Sequence, residues 1–479
     1  MQPFLNFLLL TLLFSPSLRA QKESGSPVDE TPTRANSTDG LYISWREHII
    51  DSPITSRVPF NGSDGLVIED LDRDGFIDIV SVHESDATYD SAEHDPDFEE
   101  SSLGHVRISF GSFDPKIWTS VTLAEGEIVS SPEDAAIRDL NGDGFLDILV
   151  AAENGHVVFF QNPGKDIRTR TWPSRIIPMT QERGSFLRVF AADFNGDGKP
   201  EIVSPNKGAQ RPGPSDFSKS NPVSIFSISG NPLQSESWRE TILGKYSIPQ
   251  NSEPVDLDGD GDLDIIIGSR GEQRIAWFEN ISKEKLVFKE HAIGIVGTLV
   301  SGFNMEYLDV NKDGRLDIIA ASNQGLVWIE QPSEIDSAWI PHLIGSFSPD
   351  SITGLELADI NQDGLIDIMA GSYSRGSRLN EANASINDPL GRIGWFENKG
   401  LDKDWIRHDI SRRKRGMFDK FIAQDIDGDG DTDFIGTRGN SAELDGVFWL
   451  EQVRSREPLR AFTPARQNDS RAMALPKDH

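Results

Sequence analysis

The chain has 479 residues, with 46 Lys and Arg against 77 Asp and Glu, a net charge of −31 and no cysteine. This charge argues against nucleic acid or an anionic membrane as the main partner, and the missing cysteines exclude disulfides, thiolate metal sites and Cys nucleophiles. Hydrophobic residues make up 37% and there are 42 glycines, an ordinary globular composition, so the acidity is no sign of wholesale disorder.

Residues 1–20 carry an apolar run from Phe4 to Phe14, then Pro16 and a small residue at Ala20. The run is too short to span a bilayer and reads as a cleaved secretory signal, with an uncleaved anchor as the alternative. No later segment has the apolar length to cross a membrane. The mature protein is therefore expected to be secreted or periplasmic, with no membrane span after cleavage. The polar stretch 21–40 reads as a disordered linker. A strand-like segment, WREHII, follows from Trp45 to Ile50.

From Asp70 the chain repeats a nine-residue pattern, Asp-x-Asp/Asn-x-Asp-Gly-x-x-Asp/Glu, seven times at a mean spacing of about 59 residues. The acids and amides at positions one, three, five and nine are Asp70, Asp72, Asp74 and Asp78; Asp139, Asn141, Asp143 and Asp147; Asp193, Asn195, Asp197 and Glu201; Asp256, Asp258, Asp260 and Asp264; Asp309, Asn311, Asp313 and Asp317; Asp359, Asn361, Asp363 and Asp367; and Asp425, Asp427, Asp429 and Asp433. Alternate side-chain oxygens of such a loop can converge on one hard cation, with Gly at position six permitting the sharp turn. A lone copy could equally be a turn built by Asp and Asn side chains. Seven copies favour structural Ca²⁺ in most of them, with the three four-Asp loops as the best sites. These loops would account for nearly a third of the acidic residues.

Each motif lies between a short apolar segment and a β-branched run. A third strand follows, as in RIAWFEN (Arg274–Asn280) and GVFWLEQ (Gly446–Gln452), then a fourth, as in WIRHDI from Trp405. Four short strands per unit, with no helical periodicity, indicate a β-propeller blade. The seventh unit lacks its fourth strand, and Trp45–Ile50 supplies a matching one. The expected fold is all-β: a seven-bladed β-propeller over residues 41–453, closed by the N-terminal strand completing the last blade. Residues 454–479 read as a disordered tail.

The repeated motifs resemble the VCBS/FG-GAP repeat family, which includes the integrin α-chain propeller. The third and fourth strands also look like propellers attached to fungal sugar dehydratases. The resemblance implies the fold and calcium loops, on a scaffold that hosts adhesion, carbohydrate binding and lyase chemistry.

All ten Trp and the histidines His48, His291, His342 and His408 occupy repeated strand positions, so they read as scaffold rather than site. Function is expected where the repeats differ, on the face opposite the motif hairpins. Three insertions there are long: Val82–Gly104 (with His83, Tyr89 and His94), Pro205–Pro222 and Ser372–Leu390. One slot, five or six residues after each motif, reads His83, Glu153, Lys207, Arg270, Asn323, Tyr373 and Arg438 around the ring. Lys207, Arg270 and Arg438 would form a cationic pocket for a carboxylate or sulfate. The leading expectation is binding of an extracellular glycan or protein ligand through this loop face. The alternative is a polysaccharide lyase or sugar dehydratase acting on acidic sugars, with His83 and Tyr373 as base and acid beside Arg270, Arg438 and Lys207.

Overall fold

A computed structural model of the chain describes residues 25–477, except 91–102, 170, 283, 379–380, 382–383 and 402. The expected signal segment and His94 lie outside the described residues. The strands assemble into seven antiparallel sheets arranged as the blades of a propeller. Six blades run in sequence order from the inner to the outer strand, as in the first: Ser63–Glu69, Asp78–His83, His105–Phe110 and Thr119–Glu125. The seventh takes Phe421–Gln424, Asp433–Arg438 and Gly446–Ser455 from the C-terminal part and Tyr42–Asp51 from the N-terminal part. The closure is in register from Tyr42 opposite Ser455 to Ile49 opposite Phe448, so the ring is closed by backbone hydrogen bonds. A short strand, Phe462–Thr463, then pairs in parallel with Trp45 and Arg46 and covers the outer edge of that blade.

The hydrophobic core is divided among the gaps between blades. Val80, Ile108, Ile148 and Val158 pack between the first and second blades. Ile266, Trp277, Ile318 and Trp339 pack between the fourth and fifth, and Ile79, Leu66, Ile435 and Trp449 between the seventh and first. Eight of the ten Trp are buried, and Trp118 and Trp405 are half-buried against the same clusters.

The recurring Trp, Glu and His of the third and fourth strands form a clasp. His48, His291, His342 and His408 stack on Trp449, Trp277, Trp328 and Trp395 with ring centroids 4.1–4.5 Å apart. Each also shares a hydrogen bond through Nε2 with the Glu two residues beyond that Trp: Glu451, Glu279, Glu330 and Glu397, at 2.5–2.9 Å. In the last blade the His comes from the N-terminal strand and its partners from residues 449–451, so the clasp joins the two parts of the chain.

The segments read as disordered are built into the fold as far as they are described. Val28 N–H donates to Met473 O, Ala461 N–H to Thr31 O, and Met473 N–H to Arg412 O. Val28, Ala35, Phe462 and Met473 are buried. The charges that made 454–479 look solvated find buried partners: Asp469 faces Arg438 at 2.6 Å and Arg413 at 3.5 Å. Composition does not reveal such pairing, because the partners lie more than thirty residues away in sequence.

Replacing His291 or His48 by Ala removes one aromatic stack and one hydrogen bond to a carboxylate. The expected loss is about 1–3 kcal/mol for either variant, measured by denaturant unfolding. Equal losses from the two would show that the closing clasp is as strong as an internal one.

Candidate functional site

The seven motif loops have one architecture. The first Asp accepts the N–H of the Gly at position six through Oδ2, as Asp70 does from Gly75 at 3.0 Å and Asp309 from Gly314 at 2.8 Å. That Gly has φ of 82–91° in every loop, a conformation side chains disfavour. The acid at position nine is buried in all seven. Its carboxylate accepts the N–H of position two, as in Asp78 with Leu71 at 2.9 Å. In six blades it also accepts an N–H from the end of the third strand: Gly111, Asn162, Asn280, Gln331, Asn398 or Gln452, at 2.8–3.1 Å. Burial raises these acids, Asp78, Asp147, Glu201 and Asp264 to about 7, Asp317 to about 6, and Asp367 and Asp433 to about 8.

In the three four-Asp loops, oxygens of Asp70, Asp72 and Asp78, of Asp256, Asp258 and Asp260, and of Asp425, Asp427 and Asp433 lie within 4.8 Å of one another, a set that could hold a metal ion. The turn-building role is present as well, since each carboxylate at position three or five accepts a loop N–H. In the first loop Arg168 of the second blade also reaches Asp72 at 2.6 Å and Asp74 at 2.9 Å.

The opposite face holds a cavity of about 400 Å³ at the mouth of the central channel. Its wall includes the residue six positions before each motif: Asp64, Glu133, Leu187, Gln250, Phe303, Thr353 and Asp419. In several blades the inner strand loses regular register near this point, which turns adjacent residues toward the channel. This ring lies outside the long insertions and the slot after each motif in which the sequence places the site. The sequence signal is a fixed offset from each motif, which carries a polar or charged residue in five of the seven units and Leu187 and Phe303 in the other two.

Of the slot predicted from sequence, Glu153, Lys207, Arg270 and Tyr373 line the cavity, whereas His83, Asn323 and Arg438 do not. His83 is fully buried, with Nδ1 at 2.7 Å from Ser63 Oγ and Nε2 at 3.0 Å from Ser81 Oγ, and its ring packs on Phe60. Burial, with Arg107 and His105 nearby, holds His83 well below the usual imidazole range. It is a neutral core residue and not a base at the channel mouth. Arg438 is buried and bound to Asp469 and Ser441, so it is absent from the cationic pocket. Asn323 accepts from Thr298 and the Leu299 N–H.

Lys207 lines the cavity in a buried ion pair with Glu153 and also donates to Gln210 O at 2.9 Å. The exposed cations at the mouth are Arg270 and Arg375, the latter from the insertion Ser372–Leu390. Arg378 is buried and paired with Glu84 and Asp86, joining the sixth-blade insertion to the first. A Cβ at Gly62 would lie 2.2 Å from its guanidinium, so this approach requires glycine. Tyr89 lies between Arg211 and Arg378, 4.3 and 4.9 Å from its ring centre, and burial raises its phenol. Both polar atoms of the buried Gln210 amide lack a hydrogen-bond partner among the described residues. Asp64 and Glu133 are raised well above the carboxylate range by burial and by Glu84 and Asp419 close by.

A model of the FG-GAP-like repeat matches residues 139–204, 256–320 and 309–370. No curated protein matches the chain in sequence. Among solved structures, a Bacillus licheniformis rhamnogalacturonan lyase is 12% identical, with a TM-score of 0.43 over 93% of this chain and 76% of that one. An Agrocybe aegerita lectin that recognises non-reducing terminal N-acetylglucosamine is 13% identical, with a TM-score of 0.44 over 88% and 99%. BBS1N, determined in complex with ARL6DN, is 10% identical, with a TM-score of 0.42 over 82% and 93%. No helix among the described residues is long and apolar enough to cross a membrane.

Below pH 6.5 the unfolded chain protonates His83 while the folded chain does not, so stability contributed by this residue is present above that pH and lost as pH falls. His83→Gln should lower stability at pH 7 yet flatten the acid limb by up to about 1.4 kcal/mol per pH unit, read from denaturant unfolding between pH 7 and pH 5.

Proposed function

We propose that this propeller of FG-GAP-like repeats is an exported, calcium-stabilised protein that binds a glycan through the cavity at its channel mouth. The observation that carries the reading is the mixed lining of that cavity. Arg270, Arg375 and the Gln210 amide can donate, Asp64, Glu133 and Asp419 can accept, and Tyr89 and Tyr373 can do both. Leu187, Phe303 and Met417 supply apolar surface. Sugars present hydroxyls that donate and accept around a C–H face, and this lining matches both. Two exposed guanidiniums favour a sugar bearing a carboxylate or sulfate. A cavity of about 400 Å³ suits a few sugar rings. A protein partner would need a far broader footprint, about 800 Å² on each side.

The lyase or dehydratase reading retains one observation in its favour, the Tyr373 phenol in the same cavity as Arg270 and Arg375. Tyr373 would then be the proton carrier, without His83. Incubation with uronate polysaccharides should release an unsaturated product, seen by its absorbance, if elimination takes place; no product across a broad panel would remove this reading.

For binding, Arg270→Ala with Arg375→Ala should weaken affinity for an anionic oligosaccharide about 10- to 100-fold and leave the melting temperature unchanged, since both side chains are exposed. Equal affinity would place the ligand elsewhere. The blade loops supply a separate expectation. Chelation should lower the melting temperature and Ca²⁺ should restore it, by about 2.7 kcal/mol per site at a hundredfold excess over Kd.

A further inference from the structure

Asp64, Glu84 and Glu133 form a carboxylate cluster outside all seven motif loops. One oxygen from each lies within 4.8 Å of the others, and the three residues are 3%, 3% and 9% exposed. Oxygens bound to one calcium at about 2.4 Å can be at most twice that distance apart, so the spacing fits a shared ion. Three carboxylates held this close away from water repel one another unless they keep their protons or a cation joins them. Among the nearby protein cations, Arg378 reaches one cluster member and is divided between Glu84 and Asp86, Lys207 is paired with Glu153, and Arg188 donates to Asn304.

Two atoms point independently to a missing ligand. Asp64 Oδ2 has no hydrogen-bond partner among the described residues. Neither has Oδ1 of Asp419, a residue outside the cluster that is 8% exposed and lines the same cavity. A buried carboxylate oxygen with no partner is costly, and a hard cation is the species that would satisfy several at once.

We propose that Asp64, Glu84 and Glu133 bind one divalent cation, best Ca²⁺, at the channel mouth, separate from the blade-loop sites. The donors are all oxygens supplied by the protein, which suits the irregular shell of calcium better than the water-rich octahedron of magnesium. Asp64 and Glu84 belong to the first blade, Glu133 to the second, and Asp419 precedes the inner strand of the seventh. The ion would thus tie the first blade to the second beside the closure of the ring. The site requires no glycan in the cavity.

The test is calorimetric titration of CaCl₂ into the chelator-stripped full chain, comparing wild type, Asp64→Asn/Glu133→Gln, and the loop variant Asp256→Asn/Asp260→Asn. The channel variant should bind one equivalent fewer than wild type. Because like charges are removed, it should also melt no lower than wild type in chelator, while gaining less on adding Ca²⁺. The loop variant should lose its own equivalent and keep the channel one. Unchanged stoichiometry in the channel variant, or a calcium-induced melting shift equal to that of wild type, would overturn the proposal. Should the double variant fail to fold, Glu133→Gln alone should weaken one site about tenfold or more, and an isotherm superposable on wild type would overturn it equally.

Discussion

The buried carboxylate at position nine of each motif is the constraint around which this propeller is organised. It sits at the start of the second strand, where two backbone N–H groups reach it, one from its own loop and in six blades another from the end of the third strand. One side chain therefore ties three strands of a blade together. A carboxylate so buried either keeps its proton or meets a cation, and the other motif oxygens lie where a cation would be held.

The same corner links one blade to the next. The Asn or Gln whose N–H reaches the position-nine acid also uses its side-chain amide. Asn280 Nδ2 donates to Phe194 O at 2.7 Å, Gln331 Nε2 to Leu257 O at 3.1 Å, and Gln452 Nε2 to Ile360 O at 3.2 Å. Each acceptor is the position-two carbonyl of the preceding blade. Loop order, strand pairing and blade stacking are thus coupled on the motif face. On the opposite face no such repeated link occurs among the described residues, and blades are joined there by individual ion pairs such as Lys207 with Glu153 and Arg378 with Glu84.

That division explains which parts of the site could be read in advance. A repeated residue declares its role by recurrence: the stacked His and Trp and the loop acids appear at fixed offsets, and their contacts follow from one blade to all. His83 and Arg438 occupy the same slot as Arg270 and Tyr373, yet local surroundings send them elsewhere. His83 meets Ser63, Ser81 and Phe60 in the interior, and Arg438 meets Asp469 from the C-terminal segment. Equal position in a repeat sets the path of the backbone, but the direction of a side chain also depends on partners contributed by unrepeated segments.

The seven blades, the closure by the N-terminal strand and the loops rich in oxygen ligands were legible in the sequence, because each rests on a local pattern repeated around the ring. Tertiary structure alone decided which charges meet at the channel mouth. Lys207 with Glu153, Arg378 with Glu84 and Asp86, and the cluster of Asp64, Glu84 and Glu133 bring together residues from different blades. Charge pairing acts through space at a few ångströms, and only the closed ring fixes which side chains come that near.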